Sequence, residues 1–379
     1  MTVQEVMDTP AARLKGLELQ GGWIVEELLG VGKTDPSGEG TGGSFSVSYR
    51  VKHNQAEAFL KALDLDRILD NDDEHDFLDV INRETTAFSQ EQKLNEHCAK
   101  NRMRQVVSII SHGTVKVERK EGDKISKVPY MILELADGGD VRGYLKQRSI
   151  NDFWAKFGYL KDVLLGISQL HAQEISHQDL KPSNVMVFAN HGAKVGDLGR
   201  ASIKGFSGGA YEDWVVAGDS SYAPPEQLYG LAPPEWVDRR ERSDLYQFGS
   251  LISFVLFGVT LNTMMQERIP AAIGPKHWFP EEGGGSTYAQ ALPYLQQAFF
   301  DGLEEYKTSL PAWAAVKVID LIVQCSNPDY TQRGSKRVLG KSQFLGLGLN
   351  RFVSALENLR TEAAKQARLE ARRPVKHEV

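Results

Sequence analysis

His177-Gln178-Asp179-Leu180-Lys181-Pro182-Ser183-Asn184, followed by Gly196-Asp197-Leu198-Gly199, is the stretch on which the reading turns. A lysine stands two residues after Asp179 and an asparagine five, and Asp197 comes thirteen residues after Asn184. Moving a phosphoryl group onto a hydroxyl needs positioning and charge neutralisation more than covalent help. A carboxylate, an ammonium and two hard oxygen donors at these intervals fit the catalytic loop and metal site of such an enzyme. Short apolar runs flank the loop, Val185-Met186-Val187-Phe188 after it and Ala193-Lys194-Val195 before Gly196. They read as a small hairpin that fixes the two aspartates relative to each other.

Together these segments resemble the eukaryotic-type serine/threonine protein kinase family, whose loop usually reads H-R-D-x-K-x-x-N and whose metal turn reads D-F-G. Gln178 replaces the arginine and Leu198 the phenylalanine. The resemblance implies that Asp179 accepts or orients the substrate hydroxyl and Lys181 neutralises the γ-phosphate. It implies that Asn184 and Asp197 hold Mg²⁺ against the phosphates of ATP. The fold it implies is α+β and bilobal, a small β-rich lobe with one main helix and a larger helical lobe.

Bulk properties are those of a soluble globular chain: 379 residues, 41% hydrophobic and 25% charged. The net charge of −6 gives nothing global that favours nucleic acid. Cys98 and Cys325 form no C-x-x-C pair, so a zinc site or disulfide framework is not expected. No signal peptide is legible, and the longest apolar candidate, Leu251 to Leu261, is too short to span a bilayer. Compactness without a sensor or membrane segment suggests a cytoplasmic, bacterial member of the family.

Texture changes along the chain. Residues 1–15 read as an extension. Residues 16–136 alternate short β-like runs with turns, as the ATP-binding lobe would. Helical periodicity dominates residues 137–349, and residues 350–379 read as a helix and tail, with Phe352, Leu356 and Leu359 at helical spacing. Ala136-Asp137-Gly138-Gly139-Asp140 looks like the hinge.

In the first of these regions, a glycine-rich segment follows the strand-like run Trp23 to Leu29. Gly30-Val31-Gly32-Lys33-Thr34 mimics the end of a P-loop, but Glu27 stands where the first P-loop glycine is required, so a Walker-A site is rejected. The kinase turn appears enlarged, with Gly30, Gly32, Gly42 and Gly43 expected to bring backbone N–H groups to the phosphates. Ala58-Phe59-Leu60-Lys61-Ala62-Leu63 resembles the third-strand lysine motif. A lysine inside an apolar strand is costly unless paired. The resemblance pairs Lys61 with the phosphates and a helical glutamate. Glu84 is preferred over Glu91, because Phe88 lies one turn on and could pack against Leu198. By resemblance Leu133 is the gatekeeper, and Glu134 and Ala136 offer backbone groups to adenine. Asp140 either binds the ribose or caps a helix from Val141 to Gln147, and both can hold.

The polar run Arg200 to Tyr222 suits an activation segment and ends in Tyr222-Ala223-Pro224-Pro225-Glu226, close to the family's A-P-E signature. Arg333 is expected to pair with Glu226. Ser243 to Gly249 resembles the D-x-W-x-x-G helix start, which implies that Asp244 binds catalytic-loop backbone. These segments argue against a small-molecule kinase. Gln178 cannot make the charge-assisted contact that an arginine makes to a phosphorylated segment. Activity is therefore expected not to depend on that phosphorylation. Asp219 falls where the family usually has threonine, near Asp179 and Lys181. The expectation is an ATP- and Mg²⁺-dependent Ser/Thr protein kinase acting on protein substrates. The alternative is a pseudokinase that binds nucleotide and works through protein contacts.

Overall fold

The computed structural model describes residues 8–29, 45–70, 77–146, 152–339 and 346–372. The chain folds into two compact units. One comprises residues up to Asp137 together with Asp197–Gly199 and Gly208–Ala210, and the other comprises the remainder.

The first unit is a six-stranded antiparallel sheet with a long helix. Its strands are β1 (Glu18–Leu19), β2 (Trp23–Leu29), β3 (Ser46–His53), β4 (Ala56–Leu63), β5 (Ile109–Lys116) and β6 (Lys127–Glu134), in the order β1-β2-β3-β4-β6-β5. Two-residue periodicity in β4 sends Ala58, Leu60 and Ala62 into a core shared with Val25, Tyr49, Val51, Tyr130 and Ile132. It sends Lys61 to the other face. There Leu63 and Met131 pack with Ile68 of α1 (Leu65–Asp70) and with Val80 and Phe88 of α2 (Phe77–Lys100). Lys61 is registered between Ser48 of β3 and Met131 of β6, so neighbours on both sides fix its backbone.

The second unit is largely helical. It contains α3 (Val141–Lys146), α4 (Phe153–His171), α5 (Pro225–Leu228), α6 (Arg242–Phe257), α7 (Leu261–Gln266), α8 (Tyr288–Lys307), α9 (Ala312–Ser326) and α10 (Leu349–Ala371). Helix α4 starts on Asp152, whose carboxylate accepts from Ala155 N at 3.1 Å, and buries Leu160, Val163, Leu164 and Ile167. Phe352, Leu356 and Leu359 bury the first part of α10, which packs on α4, while Leu369 near its end is exposed. Gly249 lets α6 approach α9: a Cβ there would meet Ser326 Cβ at 2.9 Å and Cys325 Cβ at 3.2 Å.

Three short ladders organise the catalytic-loop region. Strands β8 (Val185–Phe188) and β9 (Gly192–Val195) form the hairpin that the apolar runs imply, in the register Val185↔Val195 to Phe188↔Gly192. Strands β7 (Ile175–Ser176) and β10 (Ser202–Ile203) pair Ser176 with Ser202. An isolated bridge joins Asp140 to Met186. Cys98 and Cys325 are buried free thiols, and burial raises the Cys98 thiol to about 12. No described helix is long and apolar enough to cross a membrane.

Candidate active site

Lys61 has two carboxylate partners. Its ammonium lies 2.9 Å from both oxygens of Glu91 and 3.0 Å from Asp197 Oδ1. Burial pulls the Lys61 value down, but Asp197 and Glu91 outweigh it and hold the ammonium above its ordinary value. Burial also pushes the Glu91 carboxyl up to about 7, against the pull of Lys61. The ion pair is the state these distances describe, with two hydrogen-bonded carboxylates around one ammonium.

The pairing corrects the choice of Glu84. Glu84 and Glu91 are seven residues apart, so they share a helix face and differ by about 10 Å along the axis. Periodicity cannot separate them, and axial position decides. Glu84 meets Arg83 at 3.0 Å, and Phe88 is taken up by the cluster with Leu63 and Met131. Glu91 lies at the level of the metal-turn segment, where a Cβ on Gly199 would meet its Oε2 at 3.4 Å. Asp197 has φ 57°, and its Oδ1 accepts from Gly199 N at 3.3 Å, a tight turn that a short polar side chain tolerates.

In the second unit the loop residues converge on Asp179. Asn184 donates Nδ2 to Asp179 O at 2.8 Å and to Asp179 Oδ2 at 3.1 Å. Lys181 Nζ lies 3.3 Å from Asp179 Oδ2 and 3.4 Å from Asp219 Oδ2. Burial lowers the Lys181 value, and the two carboxylates more than offset it. Asp219 N donates to Asp179 Oδ1 at 2.8 Å. That approach requires Gly218, since a Cβ there would lie 2.4 Å from Gln178 O and 2.7 Å from Asp179 Oδ1. His177 joins the two motifs: its Nδ1 accepts from Asp179 N at 3.2 Å and its Nε2 donates to Gly196 O at 3.0 Å.

Asp244, fully buried in the first turn of α6, holds the loop backbone as its motif implies. It accepts from Ser176 Oγ, His177 N and Gln178 N at 2.8 Å each, and His171 Nε2 lies 2.8 Å away. Burial raises its carboxyl, but His171 and the donors from the loop bring it below the ordinary value. Glu226 and Arg333 form a buried bidentate pair at 2.7 and 2.6 Å.

The remaining expected residues sort as follows. Leu133 is buried in β6 opposite Phe59. Glu134 turns its carboxylate to Ser108 N at 2.8 Å, and its own N donates to Ser108 O. Ala136 follows β6 without regular structure. Asp140 caps α3, accepting from Gly143 N at 2.7 Å. Gly30, Gly32, Gly42 and Gly43 lie outside the described residues. Sequence reasoning missed Gln247, which donates to Gln178 O at 2.8 Å and accepts from Leu180 N at 2.9 Å. It also missed Arg240 and Glu212. Arg240 donates to Gln178 Oε1 at 2.9 Å and pairs with Glu212 at 3.2 Å. The paired arginines just ahead of the Asp244 motif were the available signal.

Comparison with known proteins places the chain among kinases by sequence. The model of the protein kinase domain matches residues 37–345. Among curated relatives, a probable serine/threonine-protein kinase kinX of Dictyostelium discoideum is 27% identical over 216 residues, 56% of this chain and 16% of the relative. Serine/threonine-protein kinase PknL of Mycobacterium tuberculosis is 30% identical over 138 residues, 36% of this chain and 33% of the relative. Calmodulin-binding receptor-like cytoplasmic kinase 2 of Arabidopsis thaliana is 28% identical over 219 residues, 55% of this chain and 48% of the relative. The chain thus spans less than half the length of each of these relatives. With the family model covering residues 37–345, and with Lys61, Glu91 and Asp197 paired and the loop from His177 to Asn184 tied to Asp244, the chain belongs to the protein kinase domain family.

Proposed function

We propose that this chain is an ATP- and Mg²⁺-dependent serine/threonine protein kinase whose activity does not depend on phosphorylation of its activation segment. The observation that carries the reading is the set of polar contacts around Asp179. Asn184 and Asp219 N fix its two oxygens, and Lys181 stands 3.3 Å away. In the transfer, the substrate hydroxyl attacks the γ-phosphorus as the bond to the β-phosphate oxygen breaks. The hydroxyl proton passes to Asp179, and ADP leaves. Lys181 opposes the charge on the transferring oxygens. Lys61, fixed by Glu91, is the cation for the α- and β-phosphates.

Asn184 and Asp197 are the metal ligands in this reading. Asn184 spends its Nδ2 on Asp179, so its amide oxygen is the atom left for a cation, and Asp197 brings a carboxylate. Among the described residues no three His, Cys, Asp or Glu side chains cluster as a cation cage. This donor set fits Mg²⁺, which takes one or two protein oxygens and completes its octahedron from phosphate and water. When bound, Mg²⁺ supplies charge neutralisation at the phosphates. Leu133, the backbone of Glu134 and Ala136, Asp140, and the glycines Gly30, Gly32, Gly42 and Gly43 are assigned to the nucleotide. Substrates are proteins presenting Ser or Thr hydroxyls. Lys181 favours these over tyrosine, and a cytoplasmic site of action accords with the reading.

A scaffold that binds nucleotide without transferring phosphate is the second reading, favoured by Asp219, which places a second carboxylate on Lys181. Incubation with Mg²⁺ and labelled ATP separates the two, using wild type and Asp179→Ala. Asp179-dependent label on the chain itself or on a basic protein supports the kinase. Nucleotide binding with no such label supports the scaffold. Phosphorylation independence has its own test. Replacing Ser207, Ser220 and Ser221 together, with the buried Ser202 and Tyr211 left in place, should leave turnover intact. Abolished turnover in a folded variant contradicts it.

A further inference from the structure

The turn at Gln178 is strained. Gln178 has φ 67°, a left-handed conformation that is disfavoured for a non-glycine residue. Such strain persists where surrounding structure over-determines it. Its backbone is fixed by Asp244 and Gln247. Its side chain enters a circuit of hydrogen bonds that meets the Asp244 anchor at Ser176. Gln178 Nε2 donates to Ser176 Oγ at 2.5 Å, and Ser176 Oγ lies 3.0 Å from Arg240 O. Arg240 Nη1 donates to Gln178 Oε1 at 2.9 Å. Arg240 Nη2 donates to Glu212 O at 2.5 Å and to Glu212 Oε1 at 3.2 Å. Ser202 Oγ donates to Glu212 Oε2, and the β7–β10 ladder returns Ser202 to Ser176.

Burial makes this circuit consequential. Arg240 is 2% exposed, and Gln178 and Ser202 are 3% exposed. A guanidinium taken out of water demands an anion. Glu212, inside the polar run from Arg200 to Tyr222, is that anion, with Arg239 a second cation 3.9 Å away. Arg240 comes from the π-helical turn Val237–Glu241 ahead of α6, a widened turn of the kind that re-aims side chains at functional sites. Beside Glu212, Tyr211 stacks under Arg200 at 3.5 Å and edge-on to Trp214, which fixes the segment at this point.

Resting on the kinase reading above, we propose that Arg240 and Glu212 are positioning residues. Their buried ion pair clamps the segment 200–217 to the catalytic turn at Gln178, so a carboxylate encoded in the chain holds the loop that carries Asp179. The polarity is that of the arrangement Gln178 lacks, an anion on the segment and a cation facing it, but the source of the cation differs. The cation comes from the turn before α6, and Gln178 only relays it.

Glu212→Gln keeps the shape of the side chain and removes its charge, so it is the informative variant. It should lower kcat about tenfold while leaving the KM for ATP within about twofold, with Glu212→Asp restoring part of the rate. Hydrogen exchange should quicken in residues 175–181 and 200–217 and stay unchanged in α4. Phosphatase treatment of wild type should not lower kcat. Unchanged exchange in both segments overturns the proposal, as does full kcat in Glu212→Gln, or loss of wild-type activity on dephosphorylation. If wild type shows no Asp179-dependent transfer, the kinase reading fails. The exchange measurement still decides the clamp.

Discussion

Replacing Glu91 by glutamine, with Glu84→Gln beside it, tests the lysine pairing. Lys61 Nζ sits 2.9 Å from each Glu91 oxygen, in a site where Glu91 is 3% exposed. At an effective dielectric constant of about 20, opposite charges at that range attract by about 6 kcal/mol before desolvation. Desolvation and water exchange reduce a charged hydrogen bond to a net of about 1.5–3 kcal/mol. Asp197, 3.0 Å from the same ammonium, keeps Lys61 charged and partnered in the variant, which places the loss in the lower part of that range. What glutamine loses is the second anchor that keeps Lys61 in one place. About 2 kcal/mol corresponds to a fall of about 30-fold in kcat/KM for ATP. Steady-state kinetics over ATP concentration, with circular dichroism melts to confirm folding, gives the comparison. Glu84→Gln leaves the lysine contacts intact and should change kcat/KM by less than about twofold. Equal losses in the two variants, or a Glu91→Gln enzyme within threefold of wild type, would refute the assignment.

Three further outcomes follow from the second unit. Arg333→Met strands the Glu226 carboxylate in the core at a cost of about 3–5 kcal/mol, so the melting temperature should drop by about 10 °C, and Glu226→Leu in the same chain should recover most of it. Asp244 has a carboxyl held below its ordinary value of 3.8, so its contribution is full above that pH and is lost as pH falls through the lower folded value. Thermal melts between about pH 5 and pH 2 should therefore slope more steeply for wild type than for Asp244→Asn, and parallel slopes would contradict the linkage. Asp219→Asn removes one of the two carboxylates on Lys181 and should raise kcat/KM for ATP by about two- to fivefold at low salt; a fall would show that Asp219 assists rather than competes.

Local chemistry made much of this legible before the fold was seen. Strand β4 carries its lysine between Leu60 and Ala62, and alternation alone says that Lys61 faces away from the core those residues fill. The hairpin Val185–Phe188 with Gly192–Val195 and the Glu226–Arg333 pair were readable because each motif implies its partner. The glutamate was not readable. Glu84 and Glu91 answer to the same periodicity, and only the placement of α2 along its axis distinguishes them. Arg240 was hidden for a related reason. Its anion lies 28 residues upstream in an irregular segment, and its direction is set by a widened helical turn that composition does not announce.

Asp244, Gln247 and Arg240 show why one helix start carries so much of the second unit's chemistry. Catalysis by positioning requires that the reacting carboxylate not reorganise when charge moves. A loop held only by its own chain would fluctuate, because a turn with φ 67° at Gln178 is intrinsically disfavoured. Helix α6 and the turn ahead of it remove that freedom from three directions. Asp244 takes the N–H groups of His177 and Gln178, Gln247 takes the carbonyl of Gln178 and the N–H of Leu180, and Arg240 takes the side chain of Gln178. These anchors are buried, so water cannot substitute for any of them, and losing one leaves a polar group unpaired at about 1–3 kcal/mol. Gly218 then brings Asp219 N onto Asp179 Oδ1 at a distance that no side chain at that position would permit. The backbone of the turn that carries Asp179 is thus specified by residues outside the set assigned to metal and phosphate, and variants at Gln247 or Gly218 should depress kcat while leaving nucleotide affinity near wild type.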